Sequence, residues 1–252
     1  VMGRLTAVKA TVASSAILAA NIATAGLSFE LGLQQQRWLE DNGEFVSEDG
    51  FLPRAVLAYR SPVAAPAGWD AQLGAYIGDV SYRGANQNNQ SKVYSHSRYR
   101  GLDGQLERWW RPATAWRLQA GVTLQRWRRD IYNPLQGRDQ AETLRVASLH
   151  GGVGYALGSR VELGAQLNYP FWVRVEAGLG DFGYDRSPVL QPRGRLSPGL
   201  SASWRVDDDF TLRLLWERQR FAASPLQAVG TAQVHQPASR MDRLLFGVAR
   251  NF

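Results

Sequence analysis

Without a thiol, a chain that does acid–base or hydrolytic chemistry must use histidines and carboxylates. The 252 residues hold three histidines, His96, His150 and His235, and no cysteine, so thiol nucleophiles, thiolate metal sites and disulfides are excluded together. His96 and Ser97 are neighbours, but adjacent residues of an extended chain point to opposite faces, so adjacency makes no Ser–His dyad. Charged groups are more frequent where alternating strands would turn their polar side: Arg60, Asp70, Glu107, Arg117, Arg145, Arg160, Glu162, Arg213 and Glu217, with His150 among them. Charges of both signs in a narrow interior pair with one another. The expectation is therefore a structural charge network, with no catalytic residue, cofactor site or metal site assigned.

The elements that must position these groups are strands. From residue 27 onward, apolar and polar residues alternate with period 2, which gives a sheet one apolar and one polar face. Trp116, Leu118, Ala120, Val122 and Leu124 alternate with Arg117, Gln119, Gly121, Thr123 and Gln125; the runs from 160 to 169 and from 196 to 206 repeat the pattern. Ten strands are predicted near 27–39, 51–61, 69–79, 99–110, 116–131, 143–156, 160–170, 195–206, 210–221 and 240–252. The intervening segments alternate between short, at 62–68, 111–115, 157–159 and 207–209, and long, near 40–50, 80–98, 132–142, 171–194 and 222–239.

An even number of strands joined by alternating short and long connections describes a transmembrane antiparallel up-and-down β-barrel, with short turns in the periplasm and long loops outside. A soluble sandwich or lipocalin-like barrel also alternates, but it covers its polar face with lysines and acids. Here that face is rich in Gly, Ser, Gln and Arg. Trp69, Trp110, Trp116 and Trp204 lie beside the short turns, where an interfacial aromatic girdle belongs. A hairpin centred near Ala113 would set Trp110 opposite Trp116, and one centred near Ala65 would set Arg60 opposite Asp70.

Composition agrees with this class. Mean hydropathy is −0.31, and beyond the extreme N-terminus no run approaches the roughly 20 apolar residues of a spanning helix. The net charge of +7 comes almost wholly from arginines spread along the chain, Lys9 and Lys92 being the only lysines, so no dense basic run marks a nucleic-acid binder. Arg4 and Lys9, the apolar run Ala10 to Ile22 and Ala23-Thr24-Ala25 follow the order of a secretory signal. Residues 1–25 are thus expected to be a signal peptide and 26–252 the barrel.

The final strand carries a resemblance. Leu244, Phe246, Val248 and Phe252 share one face, which resembles the C-terminal β-signal of bacterial outer-membrane β-barrel proteins; Arg250 departs from the pattern. The resemblance implies a Gram-negative outer-membrane location and assembly by the barrel-assembly machinery through Phe246, Val248 and Phe252. Outer-membrane lipid, lipopolysaccharide and a partner protein of an envelope complex are the expected partners. By strand number the chain also resembles the omptin proteases and ten-stranded adhesins. Omptin-type chemistry needs an acidic pair and an Asp–His pair at the outer rim. His235 with Asp79 and Asp130 supplies only its residue types, since Gln233 occupies the place where an acid would precede the histidine. The expected function is a structural, surface-binding or narrow-transport barrel, with a rim hydrolase near His235 or His96 as the alternative. The loop 171–194 carries Phe171, Trp172, Phe182 and Tyr184 with Arg174, Arg186 and Arg193, a composition that could stack on sugars or contact lipopolysaccharide phosphates. The favoured expectation is that its aromatics continue the outer girdle and its arginines meet anionic headgroups. The segment 87–97, rich in Gln and Asn, is expected to be a mobile polar loop.

Overall fold

A strand that is apolar on one side and polar on the other is stable when the sheet separates two environments, and closing that sheet removes its unpaired edges. The computed structural model describes residues 26–41, 46–62, 65–85, 92–134, 137–180, 184 and 186–252. The expected signal segment, 1–25, lies outside the described residues, as do residues 87–91. The strands are β1 (Gly26–Glu40), β2 (Val46–Arg60), β3 (Ala67–Ala85), β4 (Lys92–Ala113), β5 (Trp116–Asn133), β6 (Arg138–Leu157), β7 (Val161–Ala177), β8 (Val189–Leu190), β9 (Gly194–Arg195), β10 (Ser197–Arg205), β11 (Phe210–Phe221), β12 (Gln227–Val229), β13 (Ala232–Val234) and β14 (Ser239–Asn251).

Ten of these, β1 to β7, β10, β11 and β14, form a closed antiparallel barrel. Strand β10 pairs with both β7 and β11, and β14 pairs with both β11 and β1. In the closing pair, Ser28 to Glu40 run against Asn251 to Ser239, and the Phe252 N–H donates to the Leu27 carbonyl at 2.8 Å. The turns between β4 and β5, β6 and β7, and β10 and β11 are tight. In that between β10 and β11, Asp207 Oδ1 accepts from the N–H groups of Asp209 and Phe210 at 2.9 and 2.7 Å, a side-chain mimic of a backbone turn.

The exterior is apolar over the short-turn half. Leu73 and Ile77 are each 59% exposed, and Leu31, Phe51, Leu102, Leu124, Leu167, Leu200 and Phe246 are similarly bare. So wide an exposed apolar band suits lipid and not water, and it marks a membrane-spanning barrel. Beyond it the alternation reverses. Outward positions become polar, as at Asp79, Arg98, Arg126 and Arg128, while inward positions become apolar, as at Leu52, Val80, Tyr99, Trp127, Leu144 and Val175, all buried.

This reversal explains why strands extend into segments expected to be loops. β2 begins at Val46, β3 runs to Ala85, β4 begins at Lys92, β6 at Arg138, and β7 runs to Ala177. Past the lipid band an outward residue gains nothing from being apolar, so the signal that located the strands fades while the ladder continues. The expected loop 171–194 is thus strand up to Ala177 and also carries β8 and β9, and 92–97 belongs to β4. The hairpin β12–β13 falls within the 222–239 connection.

The Trp110–Trp116 pairing does not form. A register shift between Trp110 and Ala113 places Trp116 opposite Ala113 and Trp110 opposite Leu118. Trp116 instead meets Tyr155 of β6, with ring centroids 4.8 Å apart. Trp69, Trp110, Trp116 and Trp204 are all 44–50% exposed at the short-turn end.

Candidate functional site

The reversal divides the lumen into two compartments. In the short-turn half, inward residues are polar, and they surround a cavity of about 220 Å³. Arg117 on β5 is its hub: Nη2 lies 2.7 Å from both Asp70 and Glu107, and the guanidinium sits over the Trp109 ring at 5.3 Å. Trp109 Nε1 donates to Asp70 at 3.0 Å. Glu107 is shared with His150 Nε2 at 3.2 Å, and Thr123 Oγ1 lies 3.3 Å from His150 Nδ1. Separate ion pairs join Arg213 to Glu30 at 3.0 Å, Arg54 to Asp103 at 2.5 Å, and Arg243 to Glu217.

Two glycines give the interior room. The Arg54–Asp103 pair crosses Gly74, and the Tyr76 ring lies against Gly101, where in each case a Cβ would overlap the neighbour. At that level an apolar layer begins. Leu52, Tyr99, Trp127, Val146, Val175 and Met241 are almost completely buried and form one cluster inside the barrel, with Gln36 and Gln219 buried at the same level. Leu190 and Val229, from the β7–β10 and β11–β14 connections, are buried as well.

Above this layer lies a second polar cluster. The Arg129 side chain is 2% exposed, stacks over Trp38 at 4.8 Å and contacts Glu40, Glu48 and Glu142 at 2.8, 3.2 and 2.7 Å. Each carboxylate has further donors. Trp38 Nε1 and Gln236 Nε2 reach Glu40 at 2.9 and 3.1 Å, Ser97 and Tyr99 reach Glu48, and Gln140 reaches Glu142 at 3.1 Å. Such saturation allows three buried acids around one guanidinium, because leaving any lone pair unmade would be costly. Beside the cluster a cavity of about 280 Å³ is lined by Glu40, Glu142, Tyr184, Leu190, His235 and Gln236.

Of the residues expected in the charge network, Arg60, Asp70, Glu107, Arg117, Glu162, Arg213 and Glu217 line the lower cavity, as does His150. Arg145 does not. It alternates with the buried Leu144 and Val146, so it projects from the outer wall and pairs with Glu176 at 3.6 Å. Arg160 is also elsewhere, exposed in the turn before β7, where strand parity no longer fixes a face. Arg60 stands opposite Asp70 in register, but the Asp70 carboxylate is held by Arg117. Asp79 and Asp130 face outward with Arg98 at 3.2 Å and Arg128 at 2.6 Å, away from His235, and His96 stacks on Tyr132 at 5.2 Å. No group of three or more metal-ligating side chains occurs among the described residues.

Missing from the expected network were Glu30, Arg54, Asp103, Arg243 and the whole Arg129 cluster. Glu30 was legible, since it alternates with Phe29 and Leu31. Arg129 was not, because its outward neighbour Arg128 is equally charged and alternation by polarity vanishes there.

Fold and interior together define a ten-stranded barrel of the outer-membrane class with a filled lumen. Its fold is similar to that of the outer-membrane protease OmpT from Escherichia coli, at 12% identity and TM-score 0.48, covering 90% of this chain and 96% of that one. Similar too are the translocator domain of the autotransporter NalP from Neisseria meningitidis, at 12% identity and TM-score 0.46 over 97% and 98% of the chains, and Ail, the attachment invasion locus protein of Yersinia pestis, at 10% and 0.42 over 90% and 99%. No family model and no curated protein sequence matches the chain.

Proposed function

We propose that this chain is a sealed outer-membrane barrel that serves as a structural and surface-binding scaffold, its short-turn end in the periplasm and its long connections at the cell surface. The observation that carries this reading is the cluster of buried apolar side chains from Leu52 to Met241, which lies along the strands between the residues of the lower cavity and the Arg129 cluster. Ions do not cross such a cluster, since burying an unpaired charge there costs several kcal/mol or more. The location rests on the exposed apolar band and on the alternation of short and long connections. Export would remove residues 1–25, and the barrel-assembly machinery would engage Phe246, Val248 and Phe252 on the outer face of the strand that closes the barrel. Outer-membrane lipid would coat the band, and a partner protein of an envelope complex would meet the loops.

Planar-bilayer recording tests the seal. The wild type should be silent, whereas Trp127→Ala combined with Leu52→Ala should admit ions through the thinned layer. Large, steady wild-type conductance would refute the proposal. Fractionation with intact-mass measurement tests the location, and a full-length chain in the cytosol would refute that part.

One observation favours the alternative, a rim hydrolase: His235 shares the outer cavity with Glu40 and Glu142. Both carboxylates are already engaged by Arg129, and among the described residues no other acid lines that cavity. His235→Ala and His96→Ala should therefore leave peptide and phospholipid cleavage by the purified barrel at background, the same as wild type.

A further inference from the structure

Three arginines stand side by side on the outer wall. Arg126 on β5 is opposite Arg145 on β6, and Arg145 is opposite Arg174 on β7, so the three form one row across adjacent strands. All three project outward, immediately past Leu124, Ala147 and Trp172 of the lipid-facing band. Strand spacing sets neighbouring stems about 4.8 Å apart. Like charges in directly opposed cross-strand positions repel and destabilise the sheet unless an anion is shared between them.

Within the chain that compensation is small. Arg145 reaches Glu176 at 3.6 Å, in a half-exposed pair that contributes little. Among the described residues, Arg126 and Arg174 have no carboxylate within ion-pair distance, and Arg174 Nε is buried without a hydrogen-bond partner. The neighbouring outward arginines differ: Arg98 is matched by Asp79, and Arg100 and Arg128 share Asp130.

We infer that the Arg126–Arg145–Arg174 row binds the phosphate of an outer-leaflet phosphoglycolipid, a lipopolysaccharide. This rests on the proposed orientation of the barrel, with its long connections outward. Adjacent guanidinium forks can grip one phosphate bidentately, and their position at the edge of the apolar band is the level of lipid headgroups. The choice of a glycolipid over a phospholipid rests on the foot of the row. A register shift between β6 and β7, where Ala147 and Ser148 face Trp172 and Pro170, turns Phe171 and Trp172 outward together, 55% and 46% exposed. Aromatic faces beside a phosphate site are suited to stacking on the sugar that carries it.

Native mass spectrometry of the detergent-purified barrel with bis-phosphorylated lipid A, its dephosphorylated form and phosphatidylglycerol tests this. The wild type should retain phosphorylated lipid A in preference to the other two. Arg126→Gln with Arg145→Gln and Arg174→Gln should weaken that binding by about tenfold or more, the loss expected for charge-assisted hydrogen bonds. Arg98→Gln, on the same wall but already paired, should bind as wild type does. Unchanged binding by the triple variant, equal retention of the dephosphorylated lipid, or equal retention of phosphatidylglycerol would each overturn the inference. Should the triple variant not refold, Arg126→Gln alone decides, with unchanged binding counting against the row. These readouts use purified protein, so their failure is distinguishable from a failure of the cellular location.

Discussion

Arg117 reaches past its own hairpin to hold Asp70 at 2.7 Å, although the residue opposite Asp70 in the ladder is Arg60. Arg117 also holds Glu107, and all three side chains are at most 17% exposed. Arg117→Ala leaves two enclosed carboxylates without their cation and should lower unfolding stability by about 3 kcal/mol or more. Asp70→Ala should cost less, because Glu107 remains with Arg117. Arg60→Ala should change stability by about 0.5 kcal/mol or less. Denaturant titration of the three variants in vesicles checks the order, and a larger loss for Arg60→Ala than for Arg117→Ala would contradict it.

Arg129→Met strips the outer cluster of its cation while keeping an apolar stem over Trp38. The carboxylates of Glu40, Glu48 and Glu142 then lie buried together, at an expected cost of about 3–5 kcal/mol. Adding Glu48→Gln and Glu142→Gln in the same chain should recover most of that loss. Heat-modifiable gel migration follows both chains, and no recovery would mean that Arg129 acts through its guanidinium's contact with the Trp38 ring and not through its pairing with the acids.

Gly101→Ala places a methyl group where the Tyr76 ring lies and should cost about 1–3 kcal/mol, as overpacked cores do. In a Tyr76→Leu background the same change should cost much less. A double-mutant cycle gives the coupling. Additive losses would show that the glycine is needed for its backbone and not for the ring.

The edge of the lipid band can be mapped by charge. Leu73→Arg, inside the band, should destabilise the barrel by about 2–4 kcal/mol in a bilayer, the cost of an arginine facing hydrocarbon. Ser81→Arg, outward on the same strand but past Asp79, should be nearly neutral. Vesicle unfolding titrations compare them, and similar losses would place the band edge beyond residue 81.

The sequence made the lower half of this barrel legible residue by residue. Leu118, Val122 and Leu124 face lipid while Arg117, Gln119 and Thr123 face the lumen, so chemistry and geometry share one period. In the upper half, charge at Arg126 and Arg128 is on the outside, and Trp127 is inside with Arg129. Hydrophobicity there reports a protein core, not lipid contact, and single residues no longer reveal which way they point. Long-range partners were illegible for a different reason. Arg54 and Asp103 sit on β2 and β4, across the intervening β3, so no local spacing announces their meeting. In the sequence Arg145 reads as a lumen residue and Arg174 as a loop residue, and only the register sets them beside Arg126 on the outer wall.

The mid-strand reversal also means that the two halves of each long strand answer to different solvents. The lower band is held by hydrocarbon outside and responds to bilayer thickness, with a mismatch costing fractions of a kcal/mol per Å. The upper half is held like a water-soluble protein, by its own enclosed Trp38, Tyr99 and Trp127, and responds to denaturants that solvate buried surface. A thinner membrane therefore strains only the lower band, while the upper half keeps its fold on its own core.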